Sequence, residues 1–273
     1  MIRSIASPEN QFIKMASSLR QKKNRDETGL FSVEGVRLVR EAIASEYTAK
    51  FALVSEKETR TQAVAQLVSR LEELGCPVYI ATEALFAKIS DTETPQGILL
   101  VLEQKKQDLL NFAHVEKNAP WIVLDSLQDP GNVGTIIRTA DAAGAAGVIL
   151  AGNCADVYAG KTVRATMGSL FHLPVVKSSV EECLDFCARN YLPLYVAGAE
   201  AATDYTTADL SKAFALVMGN EGAGVGTHFR LPASLTLRIP ILGRAESLNV
   251  ASASAVLLFE AARQRQQRVP CKS

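Results

Sequence analysis

The chain has 273 residues, which is long enough for two domains that each bury a core. Hydrophobic residues make up 48% and charged residues 21%, as in ordinary globular proteins, and 29 basic residues balance 29 acidic ones. A formal net charge of zero argues against binding nucleic acid by bulk electrostatics, although it allows a local basic patch.

The sequence also bears on membranes. No apolar run reaches the length of about 18 residues that a transmembrane helix needs. Residues 1–13 lack the apolar centre of a signal peptide. We therefore expect a cytoplasmic protein that does not associate with a membrane.

The first hundred residues alternate between helix and strand patterns. Apolar positions at helical spacing predict helices at 8–23, 36–44, 62–74 and 83–89. Short apolar runs predict a strand and turn at 29–35 and strands at 51–54, 77–80 and 97–102. This alternation predicts a small α/β domain at 1–103, and the polar, aperiodic segment 104–118 is the predicted linker.

The second half, 119–273, repeats the alternation with longer helices. Strands are predicted at 121–124, 147–151, 194–197, 214–218 and 235–239. Helices are predicted at 133–145, 160–168, 180–190 and 248–265. Nearly continuous apolar strands between helices predict a parallel sheet that is covered on both faces.

A metal site is not expected. Cys183 and Cys187 lie one helical turn apart, a spacing that could share a metal ion. No second pair of Cys or His residues accompanies them, so we expect ordinary thiols and no bound metal.

A basic cluster near the N terminus has two interpretations. Lys22, Lys23 and Arg25 crowd together with Arg20 within six residues. A run of charges is commonly the solvated end of a helix. The alternative is the local patch that a neutral protein would need to contact the phosphates of a nucleic acid.

Three polar turns in the second half follow predicted strands. They contain DPGNVG at 129–134, MGNEGAG at 218–224 and IPI at 239–241 with SLNV at 247–250. Ligands of open α/β sheets bind at the carboxyl ends of strands, so the turns predict one polar site. Within them Asn132 is the predicted N-cap of the helix at 133–145, and Ser247 that of the helix at 248–265. Arg138, taken on its own segment, has the pattern of a surface arginine.

Together the three turns resemble the SpoU/TrmH family of RNA 2'-O-ribose methyltransferases, in the SPOUT class. The matching segments are DPGNVGTIIRTA at 129–140, MGNEG at 218–222, and IPI at 239–241 with SLNVA at 247–251. A weaker match, from Arg25 through FSVEG at 31–35, resembles the auxiliary substrate-binding domain of that family, a ribosomal-protein-like α/β fold.

The resemblance implies a fold, a cofactor and an assembly. It implies an α/β architecture in which a SPOUT-type parallel sheet with a trefoil knot follows the smaller domain. S-adenosylmethionine would be held in the knot by residues of the second and third turns: Met218, Gly219, Asn220, Gly222, Ile239, Pro240 and Leu248. The protein would be a homodimer whose active site is completed across the interface, with no metal.

Site residues follow from the same resemblance. Arg138 matches the arginine thought to activate the ribose hydroxyl, Asn132 and Asn249 would position it and the substrate, and Glu221 and Ser247 would organise the pocket. An arginine is protonated at neutral pH, which leaves open whether Arg138 is a base or an electrostatic stabiliser. Lys22, Lys23 and Arg25 would contact RNA.

Three alternatives differ in substrate or activity. We expect rRNA rather than tRNA as the substrate because the added domain resembles those of rRNA-directed members. A non-catalytic RNA-binding protein that kept the fold is disfavoured by the intact set of Asn132, Arg138, Glu221 and Asn249. Methylation of a base atom instead of the ribose stays open, and the product nucleoside would distinguish it.

Overall fold

The computed structural model describes residues 2–112 and 119–268. Strands β1 to β5 of the first half lie at Ile2–Ile5, Leu30–Glu34, Ala49–Ser55, Val78–Ala81 and Ile98–Glu103. Helices α1 to α5 lie at Gln11–Ser18, Lys22–Thr28, Val36–Ala44, Gln62–Glu73 and Glu83–Ile89.

The second half contains seven strands and five helices among its described residues. Strands β6 to β12 lie at Trp121–Asp125, Gly147–Ala151, Val175–Ser178, Leu194–Ala197, Thr203–Asp204, Ala215–Met218 and Leu235–Arg238. Helices α6 to α10 lie at Pro130–Ala142, Gly160–Thr166, Val180–Arg189, Thr227–Arg230 and Val250–Arg268. No helix in the described ranges is long and apolar enough to cross a membrane.

The chain divides into two compact units. One contains Met1–Lys105 together with Asp156–Phe171, and the other contains Lys106–Ala155 and His172–Ser273. The first boundary lies close to the predicted one, but the sequence assigned 156–171 to the second domain, whereas α7 packs on β2 in the first unit. Residues 113–118 of the predicted linker and 269–273 of the predicted second domain lie outside the described residues.

The sheet of the first unit is mixed. Its order is β1-β4-β3-β5-β2, with β5 antiparallel to both of its neighbours. Helices α1 and α5 pack together over one apolar cluster that includes Ile13, Phe51 and Phe86, and α3 packs against α4.

The sheet of the second unit confirms the predicted parallel architecture. Its order is β10-β12-β9-β11-β6-β7-β8, and every pairing is parallel. The carboxyl ends of β12, β9, β11 and β6 therefore lie side by side at one edge. The described part of the linker adds to this unit, because Leu109 is buried in its core and Phe112 packs on Trp121.

The predicted strands are confirmed, and the strands that the sequence missed are β1, β8 and β10. All three are edge strands. An edge strand can carry polar residues, as in IRSI and VVKS, so its apolar pattern is too weak to detect. Likewise a single helical turn, α9, was not expected after the glycine loop.

The predicted helix at 8–23 is instead two helices. Asn10 caps α1 by accepting a hydrogen bond from the backbone N–H of Phe12 at 2.9 Å. The chain turns after Leu19, and Asn24 on α2 donates to the carbonyl of Ser18. Because of this break, Arg25, which was predicted to contact RNA, points into the protein. It is buried, with 4% of its surface exposed.

Arg25 forms an ion pair in the interior of the first unit. Its Nε and Nη2 atoms donate to Oδ2 of Asp156 at 3.0 and 2.6 Å, and Nη1 donates to the carbonyls of Leu19 and Arg20. The expected contact between Arg25 and RNA therefore finds no support in its placement, because the guanidinium is already occupied by protein acceptors. The pair also attaches the segment Asp156–Phe171 to α2.

We expect Arg25→Ala to destabilise the protein by about 3–5 kcal/mol, because it leaves the Asp156 carboxylate, only 16% of whose side chain is exposed, without its cation. Urea unfolding would measure the free energy of unfolding. Lys22→Ala is the matched control on the same helix, since Lys22 and Asp26 are exposed and such a pair is worth about 0–1 kcal/mol. Equal losses for the two variants would contradict a structural role for Arg25.

Candidate active site

The three polar turns meet at one edge of the parallel sheet. They follow β6, β11 and β12, whose carboxyl ends lie at the same end of the sheet. The turns after β11 and β12, with the turn after β9, line a cleft of about 750 Å³, whereas no residue of the turn after β6, Asn132 included, lines it. Residues predicted to bind the cofactor that line this cleft are Met218, Gly219, Asn220, Gly222, Ile239 and Leu248. Glu221, Ser247 and Asn249 also line it, whereas Pro240 does not.

A chain of side-chain hydrogen bonds joins the three turns. Nδ2 of Asn249 donates to Oδ1 of Asn132 at 3.1 Å, and Nδ2 of Asn132 donates to Oε1 of Glu221 at 3.0 Å. The two bonds span 117 and 89 residues of sequence. The structure thus brings Asn132, Glu221 and Asn249 together, as the single polar site predicted from the turns requires.

Both predicted helix caps were wrong by a few residues. Helix α6 begins at Pro130, and its N-cap is Asp129, whose Oδ1 accepts from the N–H of Asn132 at 2.8 Å. Helix α10 begins at Val250, where Oδ1 of Asn249 accepts from the N–H groups of Ala251 and Ser252. Because Asp129 caps α6, the Asn132 side chain is free to bond with Asn249 and Glu221, and Ser247 lies in the loop before α10.

The glycine loop after β11 is shaped by Asn220. Its Oδ1 accepts from the backbone of Gly222 and Ala223, its Nδ2 donates to the carbonyl of Ser126, and its backbone pairs with Gly224. The side chain and the backbone of Asn220 therefore both hold the loop in its shape. A Cβ on Gly219 would lie 2.2 Å from the carbonyl carbon of Gly224, so no other residue fits there.

Asp125 is a residue that the sequence reasoning missed. It ends β6 and is buried, with 3% of its surface exposed. Oδ2 accepts from the N–H of Gly226 at 2.7 Å, and Oδ1 lies 3.3 Å from Nε2 of His228. The Asp125 carboxylate therefore holds the glycine loop against the end of β6. In the sequence, the acidic residue at the end of the otherwise apolar run WIVLD could have indicated this role.

Cys154 lies beneath the same strand ends. Its Sγ donates to the carbonyl of Leu124 at 3.1 Å, and burial raises the pKa of the thiol to about 11. The thiol is therefore protonated at neutral pH and is not a nucleophile. In the described ranges no group of three or more His, Cys, Asp and Glu side chains is placed to hold a metal ion.

Arg138 is not brought to the cleft. It lies on α6 six residues after Asn132, which turns it by about 240° around the helix and moves it about 9 Å along the axis. It is exposed and makes no ion pair or hydrogen bond within the described residues. Within one chain, Asn132 therefore does not lie beside Arg138, as the resemblance had led us to expect.

We expect Asp125→Ala to lower the free energy of unfolding by about 1–3 kcal/mol, because the N–H of Gly226 loses its acceptor. Asp125→Asn keeps one acceptor oxygen in place and should lose less. Chemical denaturation of both variants would measure the difference. If the two substitutions cost the same, the hydrogen bond to Gly226 is not what Asp125 contributes.

Comparison with known proteins supplies the family. The SpoU rRNA Methylase family model matches residues 120–259, and the MRM3-like substrate binding domain model matches residues 10–100. The chain is 38% identical to the 23S rRNA (guanosine(2553)-2'-O)-methyltransferase RlmP of Bacillus subtilis, across 94% of this chain and 98% of that one. It is 33% identical to the 23S rRNA (uridine(2479)-2'-O)-methyltransferase of Streptomyces viridochromogenes, across 96% and 93%.

Solved structures agree with these relatives. The crystal structure of an AdoMet-bound rRNA methyltransferase from Sinorhizobium meliloti superimposes with a TM-score of 0.88 at 36% identity, across 96% of this chain and 98% of that one. Residues 120–259, which the family model matches, include all three turns. The chain belongs to the SpoU rRNA methylase family.

Proposed function

We propose that the protein methylates a ribose 2'-hydroxyl of 23S rRNA, with S-adenosylmethionine as the methyl donor. The observation that carries this proposal is the hydrogen-bonded chain from Asn249 through Asn132 to Glu221 beside the glycine loop. Both curated relatives named above are 23S rRNA 2'-O-methyltransferases. Their substrates differ in nucleotide, so the family does not determine the target base.

The cleft fits the donor in size and lining. Its volume of about 750 Å³ lies within the range of pockets for ligands of this size. The backbone of the glycine loop, together with Ile239 and Leu248, would hold the adenosine, and Gly219 allows the loop to pack against its own backbone there. Glu221 would face the positive sulfonium, whose chemistry is to offer an electrophilic methyl group.

The side chains of the protein must activate and orient the ribose 2'-hydroxyl. A ribose 2'-hydroxyl is a weak nucleophile. As its oxygen bonds to the methyl carbon, the C–S bond breaks, S-adenosylhomocysteine leaves as a neutral thioether and the hydroxyl proton passes to solvent water. The Arg138 guanidinium would stabilise the negative charge that develops on the oxygen. Asn132 and Asn249 would orient the ribose, since they are linked to each other and to Glu221.

A second copy of the chain would supply Arg138. One side of α6 exposes Thr135, Arg138 and Ala142, and the adjacent helix α10 exposes Phe259, 52% of whose surface is accessible. An apolar and small-residue face around an unpaired arginine suits a symmetric contact between two copies. The proposed enzyme is thus a cytoplasmic homodimer with composite active sites, and we also propose that the segment after β12 forms the family's trefoil knot.

The first test is methyl transfer from labelled S-adenosylmethionine to unmodified 23S rRNA and to tRNA, followed by nucleoside analysis. We expect a 2'-O-methylnucleoside in 23S rRNA, and a loss of about 10²–10³-fold in kcat for Arg138→Ala. If the label appears in tRNA instead, the substrate is tRNA and the proposed 23S rRNA substrate is wrong. Label on a base would overturn the ribose mechanism, and no transfer to either RNA would favour a binding protein without activity.

The composite site predicts complementation between two inactive variants. Gly219→Ala should abolish donor binding because its Cβ overlaps the loop backbone, and Arg138→Ala should leave the donor cleft intact. Co-expressed, the two variants should regain about a quarter of wild-type activity, since half of the dimers hold one intact site.

Gly198→Ala is the matched control for this experiment. Gly198 lines the same cleft but has no atom within 4 Å of an added Cβ, so that variant should bind the donor and stay active. Activity that never exceeds the sum of the separate variants would mean that Arg138 serves the cleft of its own chain.

A further inference from the structure

The basic cluster that the sequence singled out is electrically neutral at its surface. Lys22 pairs with Asp26 and Lys23 with Glu27, each one turn along α2, and Arg25 is buried against Asp156. The hydrogen bond to Asp26 also raises the pKa of Lys22. If the first unit binds RNA, the unpaired cations elsewhere on it are the better candidates.

Three arginines of the first unit lie on consecutive, contacting elements of the fold and have no protein partner among the described residues. Arg37 and Arg40 are exposed on α3 at a spacing that places them on one helical face, and Arg60 is exposed immediately before α4. In the part of the chain that the structure describes, none of the three makes an ion pair or a hydrogen bond. Helices α3 and α4 pack against each other on the sheet.

The topology places Arg37 and Arg60 at the same end of the sheet, where β2 and β3 have their carboxyl ends. Strands β2 and β3 both run antiparallel to β5, so their carboxyl ends lie on one side. Arg37 is the second residue of α3, which follows β2, and Arg60 ends the short helical segment that follows β3. Arg40 extends the same face by one turn of α3.

Acidic side chains near these arginines are mostly engaged elsewhere. Glu41 packs against Gly168, and Glu58 packs against Gly97 and accepts from Oγ1 of Thr61. Glu56 is exposed, but it lies at the opposite end of its segment from Arg60, about 8 Å away. The outward positions on the first turns of α4, Gln62 and Gln66, are uncharged hydrogen-bonding side chains.

We propose that this surface, formed by Arg37, Arg40 and Arg60, binds the sugar-phosphate backbone of the RNA substrate. The inference rests on the proposed function and deepens it by assigning the RNA contact of the first unit. Arginine forks match phosphate oxygens in two-point hydrogen bonds, and an unpaired guanidinium gives up no protein partner when it binds. Phosphate contacts position an RNA without reading its sequence, which a domain outside the catalytic fold can supply.

The test measures binding of unmodified 23S rRNA, transcribed in vitro, to the full-length protein over a series of salt concentrations without methyl donor. The triple variant R37Q/R40Q/R60Q should bind more weakly, and the slope of log K against log salt should shrink by about one for each arginine removed. Affinity for S-adenosylmethionine, measured by calorimetry, should not change. In turnover, the KM for RNA should rise while kcat at saturating RNA is kept.

Two controls carry the same chemical change at paired cations. Arg70→Gln removes an exposed arginine of α4 that is paired with Glu73, and K22Q/K23Q removes the two paired lysines of α2. Both should keep the wild-type salt slope. If the triple variant keeps that slope, or if K22Q/K23Q loses as much as the triple variant does, the proposed surface is wrong.

The single variants R37Q, R40Q and R60Q keep the test decisive if the triple variant fails to fold, because each should reduce the slope by about one. The two proposals also fail separately. A wild-type protein that binds this RNA with the expected arginine dependence but transfers no methyl group would overturn the proposed function and leave the surface standing. A wild-type protein that methylates RNA with no arginine dependence would do the reverse.

Discussion

The candidate active site depends on the side-chain amide of Asn132, which accepts from Asn249 and donates to Glu221. An amide can do both at once, whereas a carboxylate or an ammonium group can do only one. The three residues begin or follow three separate elements, so this one group joins the turn after β6 to the two turns that line the cleft. The Asn132 side chain is available for these bonds because Asp129, and not Asn132, caps α6.

The backbone around the cleft is fixed by groups that do not face a ligand. Asp125 holds the N–H of Gly226, Asn220 closes the glycine loop on itself, and Gly219 leaves room for the loop to return against the strand end. These interactions leave the remaining N–H and C=O groups of the loop in defined positions before any ligand arrives. Such preorganisation lowers the ordering cost of binding, and it explains why so few charged side chains line the cleft.

The first unit shows that the number of basic residues in a segment says little about its surface charge. Four cations between residues 20 and 25 would seem a strong patch, yet their ion pairs with Asp91, Asp26, Glu27 and Asp156 neutralise all of them. The arginines on α3 and before α4 are sparser in sequence but keep their charge. Arg25 has become a structural group that attaches a segment from the second half of the chain.

The sequence by itself determined the α/β class, the parallel character of the second sheet and the three turns whose side chains meet at the site. Those features depend on local apolar periodicity and on residue types with a strong positional preference. Only the tertiary structure decided which side chain caps each helix, where 156–171 packs, that Arg25 is buried and that Arg138 lies away from the cleft. Each of these depends on a partner distant in sequence, such as Asp156 for Arg25, and no local pattern encodes which partner a side chain meets.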